Sequence, residues 1–261
     1  YRSDFWSSNE EEECERALHH LRRVIESEDP SNIAAIILEA LPGSVGVVVP
    51  PQGYFEGVRA LCDEFGIMLI MDEVMVGFGR TGKWFAHQHA DVQADLITIA
   101  KGVNSGYVPV GGVIVSEAIS DYFDDQMFPG GLTYSGHPLA MASIVENIAI
   151  MKDEQLIENA QRLGREVLAP GLKALAEKHK IVGDVRGRGL FWAIELVTDR
   201  QSKAVPSADA MNQVKNALVA KGLLPFMSDN RIHVAPPLVV SEDEIKQALA
   251  IYDAVLSETT F

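Results

Sequence analysis

The sequence is short of cysteine, of basic residues and of long apolar runs, and each shortage excludes something. Only Cys14 and Cys62 occur in 261 residues, in no CxxC arrangement. That rules out a disulfide-stapled framework, suits a reducing compartment such as the cytoplasm, and reads both as packed or surface thiols and not as a bridge. Basic residues number 22 against 37 acidic ones, for a net charge of −15. Such a balance argues against a nucleic-acid or anionic-membrane partner. No apolar run reaches transmembrane length, and the opening Tyr1-Arg2-Ser3-Asp4 is not a signal peptide. The acidic strand at Leu69-Ile-Met-Asp-Glu73 resembles that of a P-loop ATPase, but there is no GxxxxGK[ST], so that enzyme class is the weaker rival, to be tested by ATP hydrolysis. Internal repeats and low-complexity segments are also missing.

What is present is ordinary globular composition, 47% hydrophobic and 23% charged. Ser8 with Glu11 reads as a capping box opening a helix whose apolar stripe runs from Cys14 to Ile25 and which ends near Asp29-Pro30. Ile33–Leu38 is a continuous apolar run, the pattern of a strand covered on both faces, with Glu39 at its end. An amphipathic helix from Gly53 to Phe65 stops at Gly66. Ile67–Met71 is the next strand, followed by Asp72-Glu73. Leu96–Ala100 is the third and runs into Lys101-Gly102, and Val110–Val115 is a fourth. This rhythm predicts an α/β domain with a mostly parallel sheet flanked by helices. A Gly-rich stretch, Pro129–Pro138, then leads into a helix to about Met151, and a second helix spans about Asp153 to Lys178. Beyond it the texture changes. A bent hairpin over Val182–Leu196, a helix over Ala208–Lys221, a strand over Arg231–Ala235 and a Ser241-capped helix over Glu242–Ser257 predict a smaller α+β domain. The expected division is residues 1–155 and residues 156–261.

In parallel sheets ligands bind beyond the carboxyl ends of the strands. Glu39, Asp72 and Lys101 are all expected at those ends. A lysine at the end of a buried strand is costly to desolvate as an ammonium, so it reads either as a neutral amine able to form a Schiff base or, as an isolated Lys-Gly would, as a surface lysine capping the strand. Asp72 with Lys101 suits pyridoxal phosphate (PLP): an amine to hold the aldehyde, and a carboxylate to keep the pyridine nitrogen protonated. Val74, two residues past Asp72, is placed either against the ring or in the core.

These residues lie in longer motifs. LIMDEVMVGFGRTG (Leu69–Gly82), TIAKGVNSGYVPVGG (Thr98–Gly112), GLTYSGHPLA (Gly131–Ala140), RGRGLFWAIEL (Arg186–Leu196) and APPLVVSEDE (Ala235–Glu244) resemble, in family order, the class III or ω-type PLP-dependent aminotransferases of fold type I. The resemblance implies that Lys101 is the Schiff-base lysine, that Asp72 partners the pyridine nitrogen and that Val74 lies against the ring. Thr133 is implied to bind the cofactor phosphate of the other subunit of a homodimer, and Glu39 matches the family's strand-end Glu-Pro motif with Ala40 in place of the proline. It further implies transamination from an amine, a β- or ω-amino acid or a taurine-like donor to a 2-oxo acid, pyruvate or 2-oxoglutarate.

Two departures concern substrate. Relatives that take α-amino acids or ornithine carry an arginine where this chain has His233, and a glutamate where it has Ser44. Arg231, two residues earlier, shares a strand face with His233, and both are candidates to hold a carboxylate or sulfonate. His233 also reads as a packed strand histidine, and the family resemblance makes Arg80 a structural or near-site residue, with the structural role ahead. The family's N-terminal phosphate-binding turn and ring-stacking aromatic have no match, so the chain looks like the C-terminal three-fifths of the enzyme, its remainder being another segment or a separate chain. Three other features are set aside. Gly77–Gly82 fits GxGxxG but trails its strand, His87 and His89 lack further metal ligands, and Trp84, Phe85 and Trp192 suit a core. The rival reading is a truncated, non-catalytic aminotransferase fragment acting as a binding or structural subunit.

Overall fold

The computed structural model describes residues 5–261, which form two compact units. The first comprises residues up to Ala40, Pro50–Phe78 and Phe85–Glu154. The second comprises Leu41–Val49, Gly79–Trp84 and Gln155–Phe261. The last change of unit falls between Glu154 and Gln155, and two short segments, 41–49 and 79–84, also belong to the second unit.

The first unit begins with helix α1 (Glu10–Ser27). Its cap is Asn9 and not Ser8: the Asn9 side chain accepts from the Glu12 amide, while Glu12 reaches back to Ser8 N and Oγ. The asparagine amide oxygen is as good a cap as a serine hydroxyl, and four successive glutamates let the register move by one. Strand β1 (Ala35–Glu39), helix α2 (Tyr54–Phe65), β2 (Met68–Asp72), β3 (Leu96–Ile99) and β4 (Gly112–Val115) follow. Gly66 closes α2 in the left-handed conformation that favours glycine. The sheet order is β1-β2-β3-β4, parallel except that β4 runs antiparallel to β3. Val58, Leu61 and Cys62 of α2 are buried with Leu69 and Met71 of β2. Coverage of both faces does not extend to β1, where Ile37 is 57% exposed. A short helix α3 (Glu117–Tyr122), unforeseen from the sequence, precedes α4 (Pro138–Asp153).

The second unit holds a four-stranded antiparallel sheet in the order β5-β6-β8-β7, built from β5 (Val182–Arg188), β6 (Phe191–Leu196), β7 (Phe226–Ser228) and β8 (Arg231–Val234). Helices α5 (Leu156–Leu163), α6 (Ala169–Lys178), α7 (Ala208–Ala220) and α8 (Glu242–Glu258) pack on it, with Leu163, Leu172, Leu190, Ile194, Leu196, Leu218 and Ile232 fully buried. The single helix expected over 153–178 is interrupted. Gln155 takes φ 52, and Gly164–Leu168 forms a π-helical turn between α5 and α6. Gly164 explains that spot: a Cβ there would stand 2.3 Å from Gly189 O of the β5–β6 turn. β7 is too short, at three residues, to show an alternation in sequence. Among the described residues no helix is long and apolar enough to cross a membrane.

Candidate active site

Register builds the site. Glu39 of β1 stands opposite Asp72 of β2, and Asp72 opposite Thr98 of β3. Paired residues of adjacent parallel strands lie on one face, so the three side chains form a row at the carboxyl rim of the sheet. β2 stops there for a local reason: Asp72 Oδ1 accepts the Val74 amide at 2.9 Å, an Asx turn that competes with the ladder. Val74 is half-buried and so is Asp72.

The next residue, Glu73, is completely buried. Its carboxylate accepts from Ala86 N at 2.9 Å and from His87 N and Nδ1 at 2.8 Å each. A buried carboxylate with three donors is satisfied, and the rim behind Asp72 is thereby tied to the segment 86–89. His87, one of the two histidines set aside above, has this as its task.

Lys101 directly follows the extended Ala100 and opens a one-turn 3-10 helix, Lys101–Val103. Its φ is 45, in the left-handed region where a residue with a Cβ costs of order ~1 kcal/mol. The desolvated lysine expected from the apolar run is not what this chain has: Lys101 is exposed, because the left-handed turn takes it off the strand axis. Thr133 lies in the exposed segment 129–137, and Glu39 is half-buried.

These groups fit a pyridoxal phosphate. Among the described residues Asp72 Oδ2 has no hydrogen-bond donor, which leaves it ready for a protonated ring nitrogen, a charge-assisted pairing. Thr98 Oγ1, in register beside it, is buried with no protein partner, an orphan that a polar ligand would satisfy. Lys101 supplies a primary amine at the end of the same strand.

Arg231 and His233 belong to the second unit, side by side on one face of β8, while Ile232 and Val234 point into the core. Arg231 donates from Nε to Ser228 O at 3.3 Å and from Nη1 to Val45 O at 2.7 Å, and it pairs with Asp229. Arg186 holds the same segment through Gly46 O at 2.9 Å and is itself paired with Asp184 and Glu195. His233 is 6% exposed, edge-to-face with Phe226, and its Nε2 has no partner. Burial first, then the charges of Arg231 and Arg186, push its imidazole below the ordinary histidine range, toward the neutral form. Arg80 is mostly buried within the second unit. It donates to Leu190 O and Pro236 O, and burial lowers its own pKa.

Sequence reasoning missed the groups behind the two site residues. Glu73 was legible in principle, as a second acid at the end of an apolar run with a histidine fourteen residues on. The asparagines Asn104 and Asn147, described below, carried no such signal.

A family model described as aminotransferase class-III matches residues 2–256. The chain is 38% identical over 247 residues to the taurine–pyruvate aminotransferase of Bilophila wadsworthia, covering 89% of this chain and 54% of that protein. It is 35% identical to gamma aminobutyrate transaminase 2 of Solanum lycopersicum, covering 96% of this chain and 56% of that protein. Among solved structures it matches the taurine:2-oxoglutarate aminotransferase of Bifidobacterium kashiwanohense, in complex with PLP and glutamate, with a TM-score of 0.92 at 40% identity, over 97% of this chain and 57% of that one. An amine transaminase from an uncultivated Pseudomonas species, in its PLP-bound form, matches with a TM-score of 0.94 at 32% identity, over 99% of this chain and 60% of that one. The chain thus spans a little over half the length of the relatives it matches. With a family model covering nearly all of it and PLP-bound transaminases sharing its fold, the chain belongs to the class III aminotransferases, PLP-dependent enzymes of fold type I.

Proposed function

We propose that this chain carries the catalytic lysine of a transaminase that moves nitrogen from an amine, a β- or ω-amino acid or a taurine-like donor to pyruvate or 2-oxoglutarate. The observation that supports it is the juxtaposition of Asp72, with a free carboxylate oxygen, and Lys101, on adjacent parallel strand ends of a class III aminotransferase chain. When bound, PLP supplies an electron sink that makes a substrate Cα–H acidic. Asp72 would hold the ring nitrogen in its protonated form. Lys101 would hold the cofactor through its amine and, when that amine is free, would move a proton as general base and acid. Val74 packs against the ring, and Thr133 serves the phosphate of the other subunit in a homodimer. Arg231 and His233 on the second unit, and Glu39 on the first, are each candidates for contact with substrate. Arg231 has already given three donors to Val45, Ser228 and Asp229, which favours donors that do not depend on a fully free arginine fork. Two free, buried thiols, Cys14 and Cys62, suit the cytoplasm.

The test is spectroscopic and chemical. The protein, purified in its native assembly and loaded with PLP, is expected to show a visible absorption band, and borohydride is expected to fix the label on Lys101, read by peptide mapping. Lys101→Ala is expected to lose the label and to lower turnover by several orders of magnitude with the fold retained. A colourless wild-type protein that takes no label overturns the reading in favour of a non-catalytic subunit, as does a Lys101→Ala protein that still transaminates. A screen of amines, β- and ω-amino acids and taurine against both acceptors then names the donor.

A further inference from the structure

The turn that carries Lys101 is held from two directions. Below it, Gly102 packs so closely on Gly77–Phe78 that a Cβ would stand 3.2 Å from Phe78 Cβ and 3.4 Å from Gly77 O. On the other side is α4. Asn147 Nδ2 donates to Gly102 O and Val103 O at 3.1 Å each, the two carbonyls that follow the lysine. Ser105 Oγ donates to Asn147 Oδ1 at 2.7 Å and so fixes which end of the amide faces the turn. Asn104, 1% exposed, adds a second tie: its Nδ2 donates to Ser143 Oγ of α4 at 3.0 Å and to Val108 O at 2.6 Å, while its Oδ1 accepts from Gly106 N at 3.2 Å. These bonds bear on a strained residue. A left-handed backbone at a lysine persists only where its surroundings over-determine it, and two side-chain donors on the next two carbonyls do so.

We propose that Asn147, oriented by Ser105, is a positioning residue for Lys101: it holds the lysine in its left-handed conformation and so fixes where the amine emerges from the end of β3. The inference rests on the reading of Lys101 as the cofactor-bearing amine. It predicts that loss of the Asn147 donors lets Lys101 relax toward the right-handed conformation and moves the amine away from the aldehyde it holds.

Asn147→Asp preserves shape but removes both N–H donors. Measured on the protein in its native assembly, it is expected to keep the wild-type circular dichroism. Its retention of PLP should fall by about tenfold, the equivalent of one or two lost hydrogen bonds. Its borohydride labelling of Lys101 should slow, and the pH midpoint of its visible band should move. Ser105→Ala, an exposed change, is expected to act in the same direction and less strongly. A merely structural role for Asn147 would lower thermal stability without moving the band midpoint or the labelling rate, and that result overturns the proposal. If Asn147→Asp does not fold, Ser105→Ala decides: a shift in midpoint and labelling supports the proposal, and wild-type values overturn it. Labelled wild type with unchanged variants overturns this inference alone, whereas unlabelled wild type overturns the functional reading and this inference with it.

Discussion

At the scale of the residue, this chain shows ionisable groups whose behaviour follows from their immediate neighbours. His233 is the clearest case. It is buried, faces two arginine charges and leaves Nε2 unpaired, so its folded-state pKa lies below the unfolded value of about 6.5. The unfolded chain then binds a proton that the folded chain refuses, and stability increases with pH between the two values. This contribution is full above about pH 6.5 and is lost as the pH falls from there toward the folded pKa. His233→Gln is expected to flatten that limb, seen as a smaller drop in urea midpoint between about pH 7.5 and pH 5.5 than in the wild type. An equal drop in both proteins would show that the histidine is not the source. Glu73 presents the opposite solution to burial, a carboxylate that keeps its place because three donors meet it.

At the scale of the element, termini and breaks decide more than propensity does. Helix α8 starts at Ser241, whose hydroxyl accepts from Glu244 N while the Glu244 carboxylate accepts from Ser241 N, a reciprocal box. Ser241→Ala is expected to cost roughly 0.5–2 kcal/mol, measured as a lower denaturant midpoint with an unchanged slope. A cost near zero would mean that the packing of Ile245, Tyr252, Val255 and Leu256 alone holds the helix start. Helix α4 plays a different part. Its residues Ser143 and Asn147 are hydrogen-bonded to the turn that follows Lys101. The π-helical turn after α5 opens on Gly164, where only a residue without Cβ leaves room for the carbonyl of Gly189.

At the scale of the whole molecule, the acidic excess sets behaviour that no single contact does. A net charge of −15 repels itself in the folded state. Most described ion pairs are at the surface, such as Arg22–Glu64 and Lys178–Asp253, and surface pairs contribute little. Screening should therefore help more than it harms. The thermal midpoint is expected to rise by a few degrees between about 20 and 200 mM sodium chloride, where the Debye length falls below about 10 Å. A falling midpoint in a salt-dependent melt would show that paired charges outweigh the repulsion. The two-unit division adds a further molecular fact, for segments 41–49 and 79–84 are contributed to the second unit from within the first half of the sequence.

Much of this was determined by sequence alone. The four strands of the first sheet, helix α2 beside them, the Ser241 cap and the placing of Asp72 and Lys101 after neighbouring strands follow from periodicity, punctuation and the rarity of charges at the ends of apolar runs. These are local signals, and local signals survive in one dimension. The family motifs carried the assignment further, to a cofactor and a reaction class. Only the tertiary structure decided the rest. It determined that Lys101 leaves its strand left-handed and exposed, and that Glu73 is met by a segment fourteen residues on. It drew Arg231 to the carbonyl of Val45, and it put Asn147 over the turn that follows the lysine. The last three are hydrogen bonds between residues well separated in the chain, and no spacing or composition encodes which partner a distant group will find.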